Sequence, residues 1–398
     1  MTAEEGKRVY LRLDAPSEAV VGKSVRLRLA LMDKQFNPAS GPVEVELQYP
    51  EGVSGPASIR FHDDDTYVDV DLVPNSTDVV RVRARWSGGD VLSNPMEVLT
   101  KLPERKLYWG DLHSHTKYSW DGVGDNAFDY ARYTSGTDFY AMTDHSKTVK
   151  NGMNRGLNEA YWDTYHAAAA AHNVPGEFTT LHAYECSFRA PYGHHNVYFR
   201  GEPGALRYPE LTTLPDLWKA LDAGTALTIP HHTGKFPGGV DLRIHDTRFR
   251  RNFEMYSGHG LSESFDPKHP LAFEESLLTS DARSLNEPSH VQDAWRLGLE
   301  VSAIAASDDH RSHPGLPHYG LAAVRAESLT RDGVFDALYD RHTYATTGAK
   351  IIVYFSMNGV AMGQRGVAQE NNTVSIRIHG TDTLERVELL RLYADAEA

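Results

Sequence analysis

The sequence predicts an α/β protein in which a barrel of strands and helices forms the middle of the chain, with β structure on both sides. Three observations lead to this prediction. Strand-like and helix-like runs alternate between about 101 and 349, the first hundred residues repeat apolar and polar positions with a period of two, and histidines and acids follow five strand-like runs. Alternation of strand and helix indicates a parallel sheet, and period two indicates a half-buried antiparallel sheet.

Residues 1–100 are predicted to form an all-β, sandwich-like domain of accessory role. The strand candidates are Val9–Leu13, Ser24–Leu29, Val43–Leu47 and Val79–Ala84, with Gly, Pro, Asn and Asp in the gaps between them. This spacing of short strands and turn residues is typical of antiparallel β domains. The region carries no cluster of acids and histidines, so we place no chemistry in it.

Residues 101–349 are predicted to hold seven strands and at least five helices. The strand candidates are Leu107–Leu112, Phe139–Thr143, Thr179–Tyr184, Asn196–Phe199, Ala226–Ile229, Phe253–Tyr256 and Val301–Ala306. The helix candidates are Asn126–Ser135, Asn158–His172, Leu214–Ala223, Ser289–Leu299 and Leu329–Asp340. Acids and histidines follow strands one, two, three, five and seven. A barrel gathers such groups at the carboxyl ends of its strands, whereas an open sheet concentrates them at one switch point.

Residues 350–398 return to β character. The predicted strands are Ile351–Phe355, Thr373–Ile378 and Val387–Leu392. Three strands are too few for a self-sufficient domain, so this C-terminal β segment is expected to pack on the barrel or to complete the N-terminal sheet.

Net charge, cysteine content and hydropathy limit the kinds of partner that the protein is expected to bind and the compartment in which it is expected to work. The net charge is −14, which argues against a nucleic-acid-coating protein because such a protein needs a basic face. Cys186 is the only cysteine, so no intramolecular disulfide forms. The first ten residues lack an apolar signal-peptide core, and no run reaches the roughly 18 apolar residues of a membrane helix. The expectation is a cytoplasmic protein that binds neither nucleic acid nor membrane.

The five polar segments carry the ligand types of a hydrolytic metal site. They are Asp111–His115, Thr143–His145, Glu185, Pro230–His232 and Ser307–His310. Imidazole and carboxylate together bind Zn, Mn or Fe. Alternate residues at a strand end point to one side, so His113 with His115, and Asp308 with His310, can each grip a metal from opposite ends of the barrel.

The order of these motifs resembles the PHP (polymerase and histidinol phosphatase) superfamily, and the segments Tyr108–Thr116 and Tyr344–Gly348 resemble a branch of largely uncharacterised proteins within it. The resemblance covers about 105–350. It implies a distorted seven-stranded (β/α) barrel with two or three divalent metal ions. The family pattern falls on His113, His115, Asp121, His145, Glu185, His195, His231, Asp308 and His310. Asp121 stands one residue further from His115 than in the commoner family form, and His232 follows His231 where proline is usual.

Neighbouring polar residues are assigned supporting roles. Asp144, His194 and His232 are expected to orient a metal ligand or to be alternative ligands, and either His231 or His232 could be the ligand of its pair. Four basic residues near the motifs are candidates for binding a substrate anion: Lys147, Arg189, Lys235 and Arg311. Asp308, His310 and Glu185 are the candidates for proton transfer.

The function that these motifs favour is a metal-dependent hydrolase, in the first place a phosphoesterase with a small anionic substrate. Two cations can activate a water and polarise a phosphoryl oxygen. Hydrolysis of an amide, carboxyl ester or lactone is the alternative within the enzyme class. A non-catalytic barrel, stabilised by metal and carrying a β binding module, is the alternative outside it.

Overall fold

The computed structural model of the chain describes residues 9–146, 148–150, 153–203, 213–234, 240–273 and 289–392. Two of the four basic residues that are candidates for binding a substrate anion, Lys147 and Lys235, lie outside these ranges. Within them the chain is mostly β, and no described helix is long and apolar enough to cross a membrane.

The first hundred residues form a β domain, as predicted. Its strands are β1 (Tyr10–Asp14), β2 (Glu18–Val20), β3 (Val25–Met32), β4 (Val43–Gln48), β5 (Val53–Ser54), β6 (Ser58–Phe61), β7 (Tyr67–Pro74), β8 (Val79–Val80), β9 (Arg83–Trp86), β10 (Gly89–Leu92) and β11 (Met96–Leu99). They pair in three sheets, with the orders β1-β3-β7-β5, β10-β9-β4-β6 and β2-β11-β8. Alternate side chains of β3, such as Leu27 and Leu29, point into a shared core with Phe61, Leu72 and Ala84, which explains the period-two pattern.

The central region contains strands and few helices. The strands are β12 (Lys106–Asp111), β13 (Phe139–Ala141), β14 (Thr148–Lys150), β15 (Met153–Arg155), β16 (Thr179–Ser187), β17 (His194–Phe199), β18 (Ala226–Pro230), β19 (Asn252–Ser257), β20 (Gly260–Leu261), β21 (Ser302–Ala305), β22 (Leu321–Ala326) and β23 (Thr343–Thr346). The helices are α1 (Ala127–Asp129), which continues as a π-helical turn over Tyr130–Thr134, then α2 (Glu159–Ala171), α3 (Leu214–Ala220), α4 (Val291–Arg296) and α5 (Arg331–Tyr339).

A seven-stranded sheet is present, but its membership and directions differ from the prediction. The order is β18-β17-β16-β13-β12-β22-β23. The sheet therefore contains β22 and β23, which the sequence patterns did not reveal. The predicted strands Phe253–Tyr256 and Val301–Ala306 correspond to β19 and β21, which pair in parallel in a separate sheet with β20. The described sheet resembles half of a barrel, and its described strands do not form the predicted closed (β/α) barrel.

The prediction of a parallel sheet was wrong for two of its seven strands, which run antiparallel to their neighbours. Strand β17 runs antiparallel to both β16 and β18, and β22 runs antiparallel to β12 and β23. Only six residues, 188–193, join β16 to β17. A parallel crossover needs a dozen or more residues, so this short loop forces a hairpin.

A hydrophobic core supports the sheet from below. Phe139 of β13, Leu181 of β16 and Ile229 of β18 belong to one core cluster with Phe335 and Leu338 of α5. Thr330 begins α5 by accepting a hydrogen bond from the backbone N–H of Gly333 at 3.1 Å, which is the usual role of an N-cap threonine. The core holds the strands in register, so the residues at their ends occupy fixed positions.

The C-terminal segment forms a small sheet of β24 (Ile352–Met357), β25 (Val360–Ala361) and β26 (Val374–His379), in the order β25-β24-β26. The predicted strand over Val387–Leu392 was wrong. Val387, Leu389 and Leu390 are 55–61% exposed. An alternating pattern gives a strand only where one of its faces can be buried, and these side chains are not.

Candidate metal centre

Backbone hydrogen bonds join the first and last motifs beyond the carboxyl ends of β12 and β21. The N–H of Asp308 donates to the carbonyl of His113 at 2.8 Å, and the N–H of His115 donates to the carbonyl of Asp309 at 2.7 Å. Asp111, at the end of β12, accepts from the N–H groups of His113 at 3.1 Å and Ser307 at 3.0 Å. The segments that follow β12 and β21 are therefore fixed against each other before any side chain meets a ligand.

Four donor atoms then meet in a compact cage, to which His113, His115, Glu185 and Asp308 contribute one atom each. The Nε2 atoms of His113 and His115 are 3.2 Å apart. Asp308 Oδ1 lies 3.2 Å from the first nitrogen and 3.1 Å from the second. Glu185 Oε2 lies 3.4 Å and 3.3 Å from the same two nitrogens. All four side chains are at most 2% exposed.

The other oxygen of Glu185 faces a second set of imidazoles. Glu185 Oε1 lies 2.8 Å from Nδ1 of His194, 3.2 Å from Nε2 of His231 and 3.2 Å from Nδ1 of His145. Burial favours a neutral Glu185, but His145, His231 and the cage imidazoles outweigh it and hold the pKa of this carboxyl well below its usual range. Glu185 is thus an ionised carboxylate placed between two groups of donors.

A third group of donors lies nearer the surface. Asp121 Oδ2 is 3.1 Å from Nε2 of His145, and Asp121 Oδ1 is 3.6 Å from Nδ1 of His310. Burial lowers the pKa of His145, but Glu185 and Asp121 outweigh it and raise the pKa to about 10. Asp121 and His310 are 21% and 34% exposed, so this side of the cluster faces solvent.

Stacked rings hold the third group together. The ring of His115 stacks on His310 with centroids 4.3 Å apart and on His145 with centroids 4.6 Å apart. Trp120 stacks on the other side of His145 at 5.8 Å. Although Asp121 stands one residue later than in the commoner family spacing, the structure brings its carboxylate to this group.

Glu254 and His259 also contact the cluster, and neither was among the predicted site residues. Glu254 Oε2 lies 2.9 Å from Nδ1 of His113, with both side chains at most 1% exposed. His259 Nε2 lies 3.0 Å from Oδ2 of Asp308. The signal for Glu254 was available, because an acid between Phe253 and a second apolar residue of a buried strand is rare unless it is paired.

His194, rather than His195, faces the cluster. The two are neighbours on β17, so their side chains leave opposite faces of the sheet. Nε2 of His195 lies 3.0 Å from a guanidinium nitrogen of the buried Arg250. Burial, together with Arg250, holds the pKa of His195 well below its usual value, so this ring is the neutral acceptor of that bond. The structure therefore does not place His195 among the donor atoms, as the family pattern had implied.

The remaining predicted site residues lie around the cluster. Asp144 accepts from the backbone N–H of Thr116 at 2.7 Å and from its hydroxyl at 2.8 Å, so it fixes the loop after His115 rather than an imidazole. His232 groups with His194 and His231. Arg189 and Arg311 are exposed, and the guanidinium of Arg311 lies 3.9 Å from Asp309.

Comparison with known families gives one assignment. The model of a family described as "Protein of unknown function (DUF3604)" matches residues 129–238 and 283–381, which together exceed half of the chain. The chain belongs to the DUF3604 family. The matched range includes Glu185, His194, His231 and Asp308 of the cluster, and it begins after His113 and His115.

Similar proteins extend over most of this DUF3604 chain. An uncharacterized protein of Chlamydia muridarum is 24% identical over 96% of the chain and 64% of its own length. An uncharacterized protein of Chlamydia trachomatis is 25% identical over 74% of the chain and 50% of its own length. The chain thus spans about half to two thirds of these curated relatives. A two-domain protein of Bacteroides vulgatus, "containing predicted PHP-like metal-dependent phosphoesterase", is similar in structure with a TM-score of 0.42 and 15% identity, covering 72% of this chain and 90% of that one.

Proposed function

We propose that this DUF3604 chain is a metal-dependent hydrolase of PHP type, in the first place a phosphoesterase, with two or three divalent cations held where the motif loops of a distorted barrel converge. The four-atom cage carries the proposal. Two ligands of one divalent ion lie about 3.3–3.4 Å apart when bonds of about 2.0–2.1 Å enclose a near-tetrahedral angle. The two imidazole nitrogens of the cage lie 3.2 Å apart, and each carboxylate oxygen lies 3.1–3.4 Å from both of them.

The state of the donor atoms supports a cation at this position. Glu185 Oε2 and Nδ1 of His231 are buried without a hydrogen-bond partner among the described residues. Unpartnered buried polar atoms are costly, and a cation coordinated by them would remove that cost. Two nitrogens and two carboxylate oxygens form a mixed donor set that suits Zn, Mn or Fe.

Shared donors support more than one cation. Three sets of three donors share His115. One set adds His113 and Glu185, another adds Asp308 and His310, and another adds Asp121 and His145. Glu185 directs one oxygen to the cage and the other to His194 and His231. A carboxylate that faces two donor groups in this way is suited to bridging two cations.

The chain's own residues define how a substrate would approach. Bound divalent cations acidify a water molecule and polarise the group that is attacked. His194 and His310 are 30% and 34% exposed, so a small anionic substrate would reach the cluster from their side. The proton-transfer roles of Asp308, His310 and Glu185 and the anion-binding roles of Arg189 and Arg311 remain predictions, as do a cytoplasmic location and the absence of nucleic-acid and membrane partners.

The test is turnover with a panel of phosphomonoesters, phosphodiesters, carboxyl esters, lactones and amides. Mn, Zn and Fe are each added to chelator-treated protein, and His113→Ala is compared with wild type. The matched control is His62→Ala, which removes an exposed histidine of the β domain. We expect phosphoester turnover that depends on metal and falls in His113→Ala alone.

Other results would redirect the proposal. Turnover of carboxyl esters, lactones or amides without phosphoesters would keep the metal centre and change the substrate class. Metal binding with no turnover of any substrate would favour the non-catalytic alternative. Equal phosphoester turnover by His113→Ala and wild type at saturating metal would show that the chemistry lies elsewhere.

A further inference from the structure

We propose that His194, His231 and His232 together hold one of the divalent cations through three imidazole nitrogens, in a three-histidine site that lies beside the cage and faces Glu185 Oε1. This inference rests on the proposed function and names a site within it. It differs from the family pattern, which supplies one histidine from the segment after β18. It also uses His194 where that pattern had indicated His195.

The backbone at the end of β18 turns two consecutive imidazoles to the same side. Neighbouring residues of a regular strand point to opposite faces. His232, however, has φ of 37°, in the left-handed region that few residues other than glycine adopt. The rings of His231 and His232 consequently lie against each other, with centroids 4.1 Å apart. Such local strain is often found at functional sites.

The three imidazoles converge, and Glu185 Oε1 lies beside two of them, 2.8 Å from Nδ1 of His194 and 3.2 Å from Nε2 of His231. One ring nitrogen from each lies within 4.8 Å of the others, and the ring of His194 is 4.8 Å from that of His232 and 5.5 Å from that of His231. His231 and His232 are 2% and 5% exposed. Nδ1 of His231 and Nδ1 of His232 lack a hydrogen-bond partner among the described residues, although buried polar groups normally have one.

The donor type predicts the metal preference of this site. Imidazole nitrogens suit Zn, Co, Ni and Cu, whereas sites rich in carboxylate oxygens also accept Mn and Mg. Three histidines are a set used by catalytic zinc sites, which keep a fourth position for water or substrate. His194 is 30% exposed and His259, whose ring lies 4.9 Å from that of His232, is 24% exposed. The three-histidine site is therefore open on that side.

The experiment compares metal binding by full-length, metal-free protein. Co²⁺ is titrated by its visible absorption and Mn²⁺ by its paramagnetic resonance signal, for wild type, His232→Gly and the control His62→Ala. Glycine adopts a left-handed φ without strain, so His232→Gly removes the imidazole and relaxes the backbone. His232→Asn serves as the second variant, because asparagine also tolerates that conformation.

We expect His232→Gly to lose one equivalent of tight Co²⁺ binding and to keep its Mn²⁺ binding. Loss of a residue that supports a metal ligand lowers affinity by about 10–100-fold. Loss of the ligand itself should lower the Co²⁺ affinity of this site by at least as much. Unchanged Co²⁺ stoichiometry and affinity would overturn the three-histidine site and leave the proposed metal centre standing. Equal loss of Co²⁺ and Mn²⁺ would assign His232 to the whole cage and also overturn a separate site. A wild-type protein that binds neither ion would overturn the proposed function itself.

Discussion

Glu254 is predicted to fix the orientation of His113 and thereby to strengthen metal binding without touching the metal. Its Oε2 lies 2.9 Å from Nδ1 of His113, which leaves Nε2 of the same ring directed into the cage. A carboxylate behind a ligating histidine selects the tautomer and limits ring rotation. Replacing Glu254 by alanine removes the acceptor and leaves a buried N–H without a partner.

The expected size of the effect follows from the burial of the pair. Both side chains are at most 1% exposed, so water cannot replace the lost carboxylate. Loss of such an outer partner lowers metal affinity by about 10–100-fold, which corresponds to about 1.4–2.8 kcal/mol. Glu254→Gln retains an acceptor but loses the charge, so its affinity should lie between those of wild type and Glu254→Ala.

The assay is competition between the protein and a chromophoric chelator for Zn²⁺ or Mn²⁺. The control is Glu177→Ala, which removes a carboxylate that is 52% exposed and paired with Arg132 on the surface. Thermal unfolding of each metal-free variant establishes that the fold persists. If Glu254→Ala, folded, bound metal as tightly as wild type, Glu254 would have no orienting role.

Three further predictions concern the cluster and the pH dependence of stability. Asp308→Asn should lower metal content, measured by elemental analysis, together with turnover, and normal content would exclude Asp308 as a ligand. His194→Gln should lower metal content whereas His195→Gln should not, and the reverse result would restore the family pattern. Burial lowers the pKa of His166 to about 3 from 6.5, and that of His182 also falls. The unfolded chain therefore takes up protons first, and stability falls as pH drops below about 6.5, by about 2 kcal/mol at pH 5 from His166 alone. In the double variant His166→Leu, His182→Leu, denaturant titrations should find a smaller loss of unfolding free energy between pH 7 and pH 5. An unchanged loss would refute the assignment of this pH dependence to the two histidines.

The positions of the motifs could be predicted because they depend on local patterns. Each motif follows a run of apolar residues that ends at a polar group, and in the structure Asp111 ends β12 while His231 follows β18. The N-terminal β domain was predictable for a similar reason, since strands such as β4 and β7 alternate buried and exposed residues over much of their length. Period and strand end are properties of a few neighbouring residues, which a single sequence reveals.

The direction of each strand, and the side of the sheet to which each of its side chains points, could not be predicted in the same way. Whether His194 or His195 faces the cluster depends on the direction in which β17 runs and on where it begins. Its antiparallel direction follows from the short loop after β16, and Gly193, with φ of 67°, precedes its first residue. A shift of one residue exchanges the two faces of a strand, so a pattern that identifies the histidine pair cannot choose between its members.

Glu254 and β22 were missed because their roles depend on partners distant in sequence. Glu254 is 141 residues from His113, so its own segment indicates that the acid is paired but does not show which group lies opposite it. Strand β22 is rich in alanine, which has low strand propensity, and its place in the sheet comes from antiparallel pairing with β12. Long-range contacts of this kind are visible only in the folded chain.

The backbone of the metal centre is held by groups other than the metal ligands. The loops that carry His113 and Asp308 are tied by main-chain bonds and by Asp111, whose other oxygen accepts from the N–H of Gly315 at 2.6 Å. Burial raises the pKa of Asp111 to about 6, yet its three backbone donors favour the carboxylate. Because these bonds do not involve the ligating side chains, removing one imidazole should empty a metal position while the loops keep their places. A loss of metal in the ligand variants can therefore be interpreted as lost coordination rather than as collapse of the site.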